Sequence, residues 1–164
     1  MKTLLLSILI IMLAGCSNGP NSTQSANIVV LVDDSGMDAI SYDHRGMRRL
    51  VGAINNELNQ SGLNVYDESA IFQGNFVRSR ARSHAALIDM VRSQRQVALD
   101  YVVILNADPF INKQSHTVKV STVVSLQTIT PYSGRVVSSG SVSGDKVNAS
   151  PSCSRTCISE KVGD

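Results

Sequence analysis

The sequence is poor in aromatic side chains and in charge. Aromatic residues make up 4% of its 164 residues, and tryptophan is absent. Recognition of bases or sugars by stacking therefore has few side chains to use. Charged residues make up 17%, below the roughly 25% of typical soluble domains. The net charge is only +2. A nucleic-acid binder carries a clear basic excess, so the composition argues against that class.

Catalytic motifs are also scarce. No glycine-rich phosphate loop occurs, because Gly134 and Gly140 belong to a predicted hairpin. The histidines at positions 44, 84 and 116 are far apart, and none accompanies a nucleophile signature. We therefore predict a protein that is not an enzyme, has no small-molecule substrate and needs no cofactor. Hydrophobic residues make up 43% of the chain, which favours a folded domain over disorder.

The N-terminus has the pattern of an export signal. Lys2 precedes an apolar run over residues 4–13 that only Ser7 interrupts. This run is too short for a membrane-spanning helix, which needs about 20 residues, but it suits a signal peptide. The tetrapeptide Leu13-Ala14-Gly15-Cys16 follows. It resembles the lipobox of bacterial lipoproteins, in which the cysteine becomes the acylated first residue after cleavage. An ordinary secretory signal with a chance cysteine is the alternative.

The lipobox resemblance predicts a lipid anchor. Residues 1–15 would be the lipoprotein signal peptide, and residues 16–26 would be the acylated Cys16 and a flexible tether. By resemblance to lipoproteins of Gram-negative bacteria, Ser17 after the cysteine favours sorting to the outer membrane. Several acyl chains on one residue give stable anchoring. The expected location is the outer membrane, with the domain in the periplasm.

Residues 27–148 predict one α/β (α+β) domain. Residues 28–32 and 101–105 are continuous apolar runs, which are typical of central strands covered on both faces. Residues 47–58 have the apolar spacing of an amphipathic helix, which Gly62 ends. Residues 63–66 form a short strand. Ser83 caps a second helix that runs from His84 to about Gln94.

The second half of the domain predicts a hairpin. Pro109 is expected to end the apolar strand, since proline cannot continue a central strand. From Thr117 apolar and polar residues alternate, which indicates one long half-exposed strand. Residues 130–134 form the turn and residues 135–142 the return strand. The predicted order is β-α-β-α-β-β-β, with a mixed sheet flanked by helices.

Residues 149–164 form a tail that contains Cys153 and Cys157. With Cys16 acylated, these two cysteines are the remaining pair, and in an oxidising periplasm they can form a small-loop disulfide. Two free or crosslinking thiols are the alternative. A metal site is disfavoured, because two cysteines do not complete a tetrahedral set and no histidine lies nearby.

Several segments together resemble a known group of envelope lipoproteins. The segments are the strand at residues 28–32, the helix end at 58–62 followed by 63–67, residues 100–105, and the hairpin residues 124–127 and 132–140. They are similar to the domain shared by the curli secretion lipoprotein, the penicillin-binding-protein activator lipoprotein B and the N-terminal domain of the Tol propeller protein. The resemblance covers residues 27–144. It implies a tethered periplasmic domain, without enzymatic activity, that binds proteins or builds rings.

Two departures from this group affect the expectation. The curli channel carries long membrane hairpins, whereas the connection over residues 108–116 is too short for them, so no self-made pore is expected. A cysteine-containing tail also takes the place of the group's final helix.

Two sets of side chains are candidate sites. The first set is a cluster of five arginines: Arg78, Arg80, Arg82, Arg92 and Arg95. They are either a solvated face of the domain or a docking surface. A docking surface of this kind would bind an acidic partner or phospholipid head groups. The segment 33–37 comes close to the Asp-x-Ser-x-Ser metal-adhesion motif of von Willebrand A domains, with Asp33 and Ser35 as candidate ligands. Met37 stands where the last hydroxyl belongs. An Asx-type turn is the alternative.

The predicted function is that of an outer-membrane-anchored periplasmic lipoprotein that serves as a protein-binding or assembly component of a cell-envelope apparatus, for secretion, surface appendages or ring assembly. The expected partners are the outer membrane, through the lipid, and an envelope protein or a second copy. One alternative is an activator of a peptidoglycan synthase. The other is a metal-dependent adhesion domain.

Overall fold

A mixed β-sheet with helices on both faces carries the fold. The computed structural model describes residues 25–72, 82–114, 117–144, 146–150, 152–153 and 157. The predicted signal peptide and Cys16 lie outside these ranges. The elements in chain order are β1 (Asn27–Val32), α1 (Arg45–Gln60), β2 (Asn64–Tyr66), α2 (Glu68–Ile71), α3 (His84–Ser93), β3 (Tyr101–Gln114), β4 (Thr117–Ile129), β5 (Val136–Ser143) and β6 (Val147–Ala149). The α+β class and the mixed sheet predicted from the sequence are confirmed.

The strand order is β2-β1-β3-β4-β5, and β6 also pairs with β4. β1 runs parallel to β2 and to β3, whereas β3, β4 and β5 are antiparallel neighbours. The apolar residues of β1 and the first half of β3 are buried, as their unbroken hydrophobic runs predict. These two strands form the centre of the molecule, with a separate apolar core on each face of the sheet.

α1 covers one face of the sheet and buries Met47 and Val51 there. It begins after His44, whose Nδ1 accepts a hydrogen bond from the Gly46 amide at 3.2 Å. It ends at Gln60, and Gly62 just beyond it has a φ of +85°, in the left-handed region that favours glycine. Both the helix and its glycine stop were predicted, and both are present.

α3 covers the opposite face and buries Leu87 and Val91. The Ser83 hydroxyl accepts from the Ala86 amide at 3.3 Å and caps the helix, as predicted. The helix packs in the same core as Val29 and Leu31 of β1. The two helices therefore enclose the central strands from both sides.

The predicted break at Pro109 is wrong, because β3 continues through this residue to Gln114. β1 ends at Val32, opposite Leu105, so the later part of β3 has β4 as its only described strand neighbour. The Leu105 and Ala107 carbonyls point to the side away from β4, where they accept from loop amides. Pro109 has the same orientation two residues further on, so its missing N–H costs no ladder hydrogen bond.

Residues 108–116 were expected to form a connection between strands. Most of them instead belong to an extended two-stranded ribbon of β3 and β4, in which strand pairing reaches Gln114 and Thr117. β6 packs against the end of this ribbon. Val118, Val120 and Ala149 form a small third core there, with Ile111 and Cys153 beside it. The sequence did not predict β6 or α2, which are three and four residues long. In the part of the chain that the structure describes, no helix is long and apolar enough to cross a membrane.

Candidate docking surface

The β5 edge of the sheet exposes apolar side chains. Val136, Val137 and Val142 are 47%, 44% and 53% exposed, and Tyr132 in the preceding turn is 73% exposed. No residue of β5 belongs to the cores found among the described residues. We call Tyr132, Val136, Val137 and Val142 the β5 surface. Val136 lies opposite Ile129 of the α3-side core and Val142 opposite Val124 of the α1-side core, so this edge exposes apolar groups on both faces of the sheet. Exposed apolar groups on a domain surface can mark an interaction site.

The turn before β5 is held from two directions. Within the turn, the Gly134 amide donates to the Thr130 carbonyl at 2.9 Å, and Gly134 has a φ of +67°. From α3, the Arg92 guanidinium donates to the Pro131 and Tyr132 carbonyls, each at 3.4 Å. The main chain of Tyr132 is therefore fixed while its ring stays exposed, which reduces the ordering cost of a contact made there.

The backbone of β5 has one paired side and one outward side. The Gly144 amide donates to the Thr122 carbonyl on β4 at 2.7 Å. Because backbone groups alternate in direction along an antiparallel strand, Val142 and Gly140 also face β4. Ser139, Ser141 and Ser143 then direct their N–H and C=O groups away from β4. No described strand pairs with that side.

An open cavity of about 410 Å³ with both polar and apolar lining adjoins this strand. It lies between the N-terminal end of α3 and the sheet, and most of its lining side chains can form hydrogen bonds: Asp33, His84, Asn106, Ser125, Gln127, Ser139 and Ser141. Asn106 donates its amide to the Asp33 carbonyl at 3.2 Å, which fixes one wall. The cavity gives the surface beside β5 a polar floor that can bind backbone or hydroxyl groups.

The candidate arginines do not form one surface. Arg82 is 9% exposed and forms an ion pair with Glu68. Its guanidinium lies 5.2 Å from the Tyr42 ring centroid. Its amide donates to Asp34 Oδ1 at 2.7 Å. Arg82 is thus part of the interior, and its assignment to a docking surface is corrected.

The other arginines differ among themselves. Arg92 braces the hairpin turn, as described above, and Arg95 is exposed. Arg78 and Arg80 lie outside the described residues. An arginine docking surface stays a prediction for Arg95 and these two residues.

The segment after β1 forms a turn at the candidate metal motif. Asp33 Oδ1 accepts from the Ser35 amide at 3.1 Å and from its hydroxyl at 2.7 Å. This is the geometry of the Asx-type turn that the sequence left open. In the described ranges, no group of three or more His, Cys, Asp or Glu side chains is placed to hold a metal ion.

Nearby, burial and the charges of Asp33 and Asp38 raise the pKa of Asp108 above its ordinary value.

The structure contains the disulfide between Cys153 and Cys157, with their Cα atoms 5.5 Å apart. Cys153 lies against Val118, Val120 and Ala149 at the end of the β3–β4 ribbon. Of the described tail residues, Ala149 and Cys153 therefore pack against the ribbon.

The β5 surface was missed as a specific site, although the sequence carries a signal for it. Residues 136–143 contain no charged side chain and no proline. Edge strands are ordinarily protected by such residues. Strand position could not be read from this pattern alone, since a central strand also lacks charge.

The comparisons with known proteins concern the fold. No protein-family model matches the chain, and no curated protein matches its sequence. Solved structures of lipoproteins are similar to this chain. Lipoprotein GNA1162 from Neisseria meningitidis is similar with a TM-score of 0.49 and 12% identity, over 83% of this chain and 91% of that one.

The C-terminal domain of LpoB gives two similar structures, each with a TM-score of 0.48. The one from Salmonella enterica is 11% identical, over 82% of this chain and 93% of that one. The one from Escherichia coli is 12% identical, over 83% and 94%. Lipoprotein B is one of the proteins that the sequence segments resemble. With TM-scores below 0.5, these likenesses carry no argument, and the function is argued from the chain's own residues.

Proposed function

We propose that the chain is an outer-membrane-anchored periplasmic lipoprotein whose domain binds a protein of a cell-envelope apparatus. Cys16, following the apolar run and Leu13-Ala14-Gly15, is the residue that would carry the lipid. The observation that carries the binding role is the β5 surface, with Tyr132 and Val142 more than half exposed on a braced hairpin.

The chemistry of the surface supports a protein partner. Its side chains are a tyrosine and three valines, and the strand between them carries no charge. Exposed apolar groups gain free energy when a partner removes them from water, at about 25 cal/mol per Å². With a net charge of only +2, long-range electrostatic steering is small. Complementary shape and apolar contact would therefore dominate recognition.

The proposed mechanism is anchoring plus docking, without bond chemistry. The tether limits the domain to a thin layer beside the membrane, which raises its effective concentration toward other envelope proteins. Activation of a peptidoglycan synthase would use the same anchor and fold, so the identity of the partner separates this alternative from an assembly role.

The adhesion alternative has its own test. A metal that binds the native state at Asp33 and Ser35 would raise the melting temperature by mass action. In the structure these two side chains bond to each other, which favours the turn. We expect no shift with millimolar Mg²⁺ or Mn²⁺, and a clear rise would revive the adhesion function.

Site-specific photo-crosslinking in cells tests the binding role. A photoreactive residue replaces Tyr132 in the full chain, and a matched control places it at Asn56, an exposed position on α1 that faces away from the sheet. We expect a discrete adduct with an envelope protein from position 132 and none from position 56. Equal adducts at both positions, or none at either, would contradict the proposal.

A Cys16→Ser variant of the same reporter separates anchoring from recognition. If the anchor supplies effective concentration, the adduct at position 132 decreases strongly without it. Retention of the adduct at full yield would show docking without a need for the lipid.

A further inference from the structure

We infer that β5 is a self-pairing edge, at which two copies of the chain join their sheets in antiparallel register about Ser141. The first observation is the outward side of β5. Ser139, Ser141 and Ser143 direct backbone donors and acceptors away from β4, since Gly144 and every second residue before it face Thr122 and its neighbours. An edge of this kind is a template for another strand.

The second observation is that the other edges are protected. β2 at the opposite end of the sheet has three residues. The free side of β3 contains Pro109, and loop amides of Asp33 and Ile40 occupy the carbonyls before it. Short length, proline and loop cover are the usual devices against edge pairing. β5 has eight residues with neither charge nor proline. Among the described residues, no loop amide or carbonyl forms a backbone hydrogen bond to its outward side.

The third observation fixes the register. Pairing between β4 and β5 shifts by one residue near Thr128 and Ile129, where Val137 is the extra residue. It shifts again after Gly144, because Ser143 lies opposite Val123 while Val147 lies opposite Val120. The regular stretch between the two irregularities is residues 138–144, and Ser141 is its centre. A two-fold axis through Ser141, perpendicular to the sheet, therefore gives the longest uninterrupted pairing.

This register satisfies both backbone and side chains. The two Ser141 residues exchange a pair of hydrogen bonds, and each Ser139 does so with the partner's Ser143, for about six bonds in total. Val142 then lies beside the partner's Gly140, which leaves room for its exposed methyl groups. Val142 shares its face with Val124, which packs against the α1-side core. The row formed by Val124 and Val142 of one copy would thus continue into the same row of the second copy across the paired β5 strands.

A second copy is the occupant that these features favour. Its edge has the same regular length, and the uncharged strands carry no like charges to oppose each other. The strand pair by itself is smaller than the roughly 1,000 Å² of a stable interface, so pairing would be weak in dilute solution. A lipid anchor would raise the local concentration, and this last step rests on the proposed function.

Disulfide trapping tests the pairing on the full chain in phospholipid vesicles. Ser141→Cys places two thiols across the two-fold axis, at the roughly 5.5 Å Cα separation of a hydrogen-bonded pair. Under mild oxidant we expect a covalent dimer to form at least about ten-fold faster than for Ala53→Cys, which tests random collision from the exposed side of α1. Equal rates would overturn the proposal.

Two further variants test the register. The two copies of residue 142 would be diagonal neighbours at about 7–8 Å, beyond the usual disulfide range, so Val142→Cys should trap no faster than Ala53→Cys. Faster trapping at 142 than at 141 would overturn the two-fold at Ser141. Adding Ser139→Pro to Ser141→Cys removes an outward N–H and should reduce trapping to the control rate. Undiminished trapping in a variant that melts like its parent would also count against the pairing.

The unaltered chain separates failure of the pairing from failure of the proposed function. If Cys16 is not acylated, the unaltered chain itself forms dimers linked through Cys16 under the same oxidant, and the anchor is refuted. If the unaltered chain stays monomeric and Ser141→Cys shows no excess, only self-pairing is refuted. An adduct of position 132 with another envelope protein, together with no excess trapping, would keep the binding role and reject the second copy.

Discussion

Replacement of Glu68 by alanine is expected to destabilise the domain strongly. Glu68 begins α2, and its carboxylate pairs with the Arg82 guanidinium, with 6% and 10% of their side chains exposed. Arg82 precedes the Ser83 cap of α3, so the pair joins two segments that are 14 residues apart. The Tyr42 ring lies beside the guanidinium. Loss of the carboxylate would remove this ion pair from an interior site.

The expected cost follows from this burial. Removing one partner of a buried ion pair costs about 3–5 kcal/mol, because the other charge loses its compensation. A domain of this size has a total stability of about 5–15 kcal/mol, so the loss is a large fraction of it. Replacing both residues, as in Glu68→Leu with Arg82→Met, leaves no buried charge and should recover most of the stability.

Urea unfolding measures the effect on the chain that begins at residue 16 and carries Cys16→Ser, which can be purified without lipid. Arg95→Ala removes an exposed arginine and is the matched control, with an expected change within about 0.5 kcal/mol. A loss below about 1 kcal/mol for Glu68→Ala would equal that of a surface ion pair. That result would refute the assignment of Arg82 to the interior.

Three other stability predictions follow from single residues. The pKa of Asp108 is raised by burial, Asp33 and Asp38, so the folded state favours the protonated form and loses stability as the pH rises above the ordinary value of 3.8. Asp108→Asn should remove this loss, raising the melting temperature at pH 7 but not at pH 3; an equal effect at both values would contradict the assignment. Gly62 has a φ of +85°, so Gly62→Ala should cost about 1 kcal/mol, whereas Gly52→Ala in open space within α1 should gain about 0.5–1 kcal/mol in urea unfolding. A gain at both glycines would refute this distinction. Leu87 is 1% exposed in the α3-side core, so Leu87→Ala should cost about 2–5 kcal/mol by the same measurement, and a change under 1 kcal/mol would show that α3 does not pack as described.

The central strands and both main helices could be predicted because their signals are local. Residues 28–32 and 101–105 are apolar without interruption, and Ser83 and Gly62 mark helix ends by their own chemistry. Pro109 misled the prediction because the rule against proline holds for strands paired on both sides. The rule applies to Pro109 only if β1 pairs with β3 at that residue. The position at which β1 ends beside β3 is set by the tertiary structure and could not be read from the sequence.

The candidate site was less predictable. Arg82 belongs to an arginine-rich segment that looks solvated, and its partner Glu68 is distant in the sequence. The β5 surface depends on which strand lies at the edge of the sheet. The lack of charge in residues 136–143 fits both a central strand and an edge strand. Only the strand order β2-β1-β3-β4-β5 shows that, among the described elements, no strand pairs with the outward side of β5.

The mass of the mature chain, isolated from cell envelopes, shows whether Cys16 anchors the domain. We expect a polypeptide that begins at Cys16 and carries the added mass of covalent acyl chains on that residue. The chain should fractionate with the outer membrane, and Cys16→Ser should release it from the membrane. A mature chain with an unmodified Cys16, or one cleaved at another position, would contradict the tethered binding domain proposed for this protein.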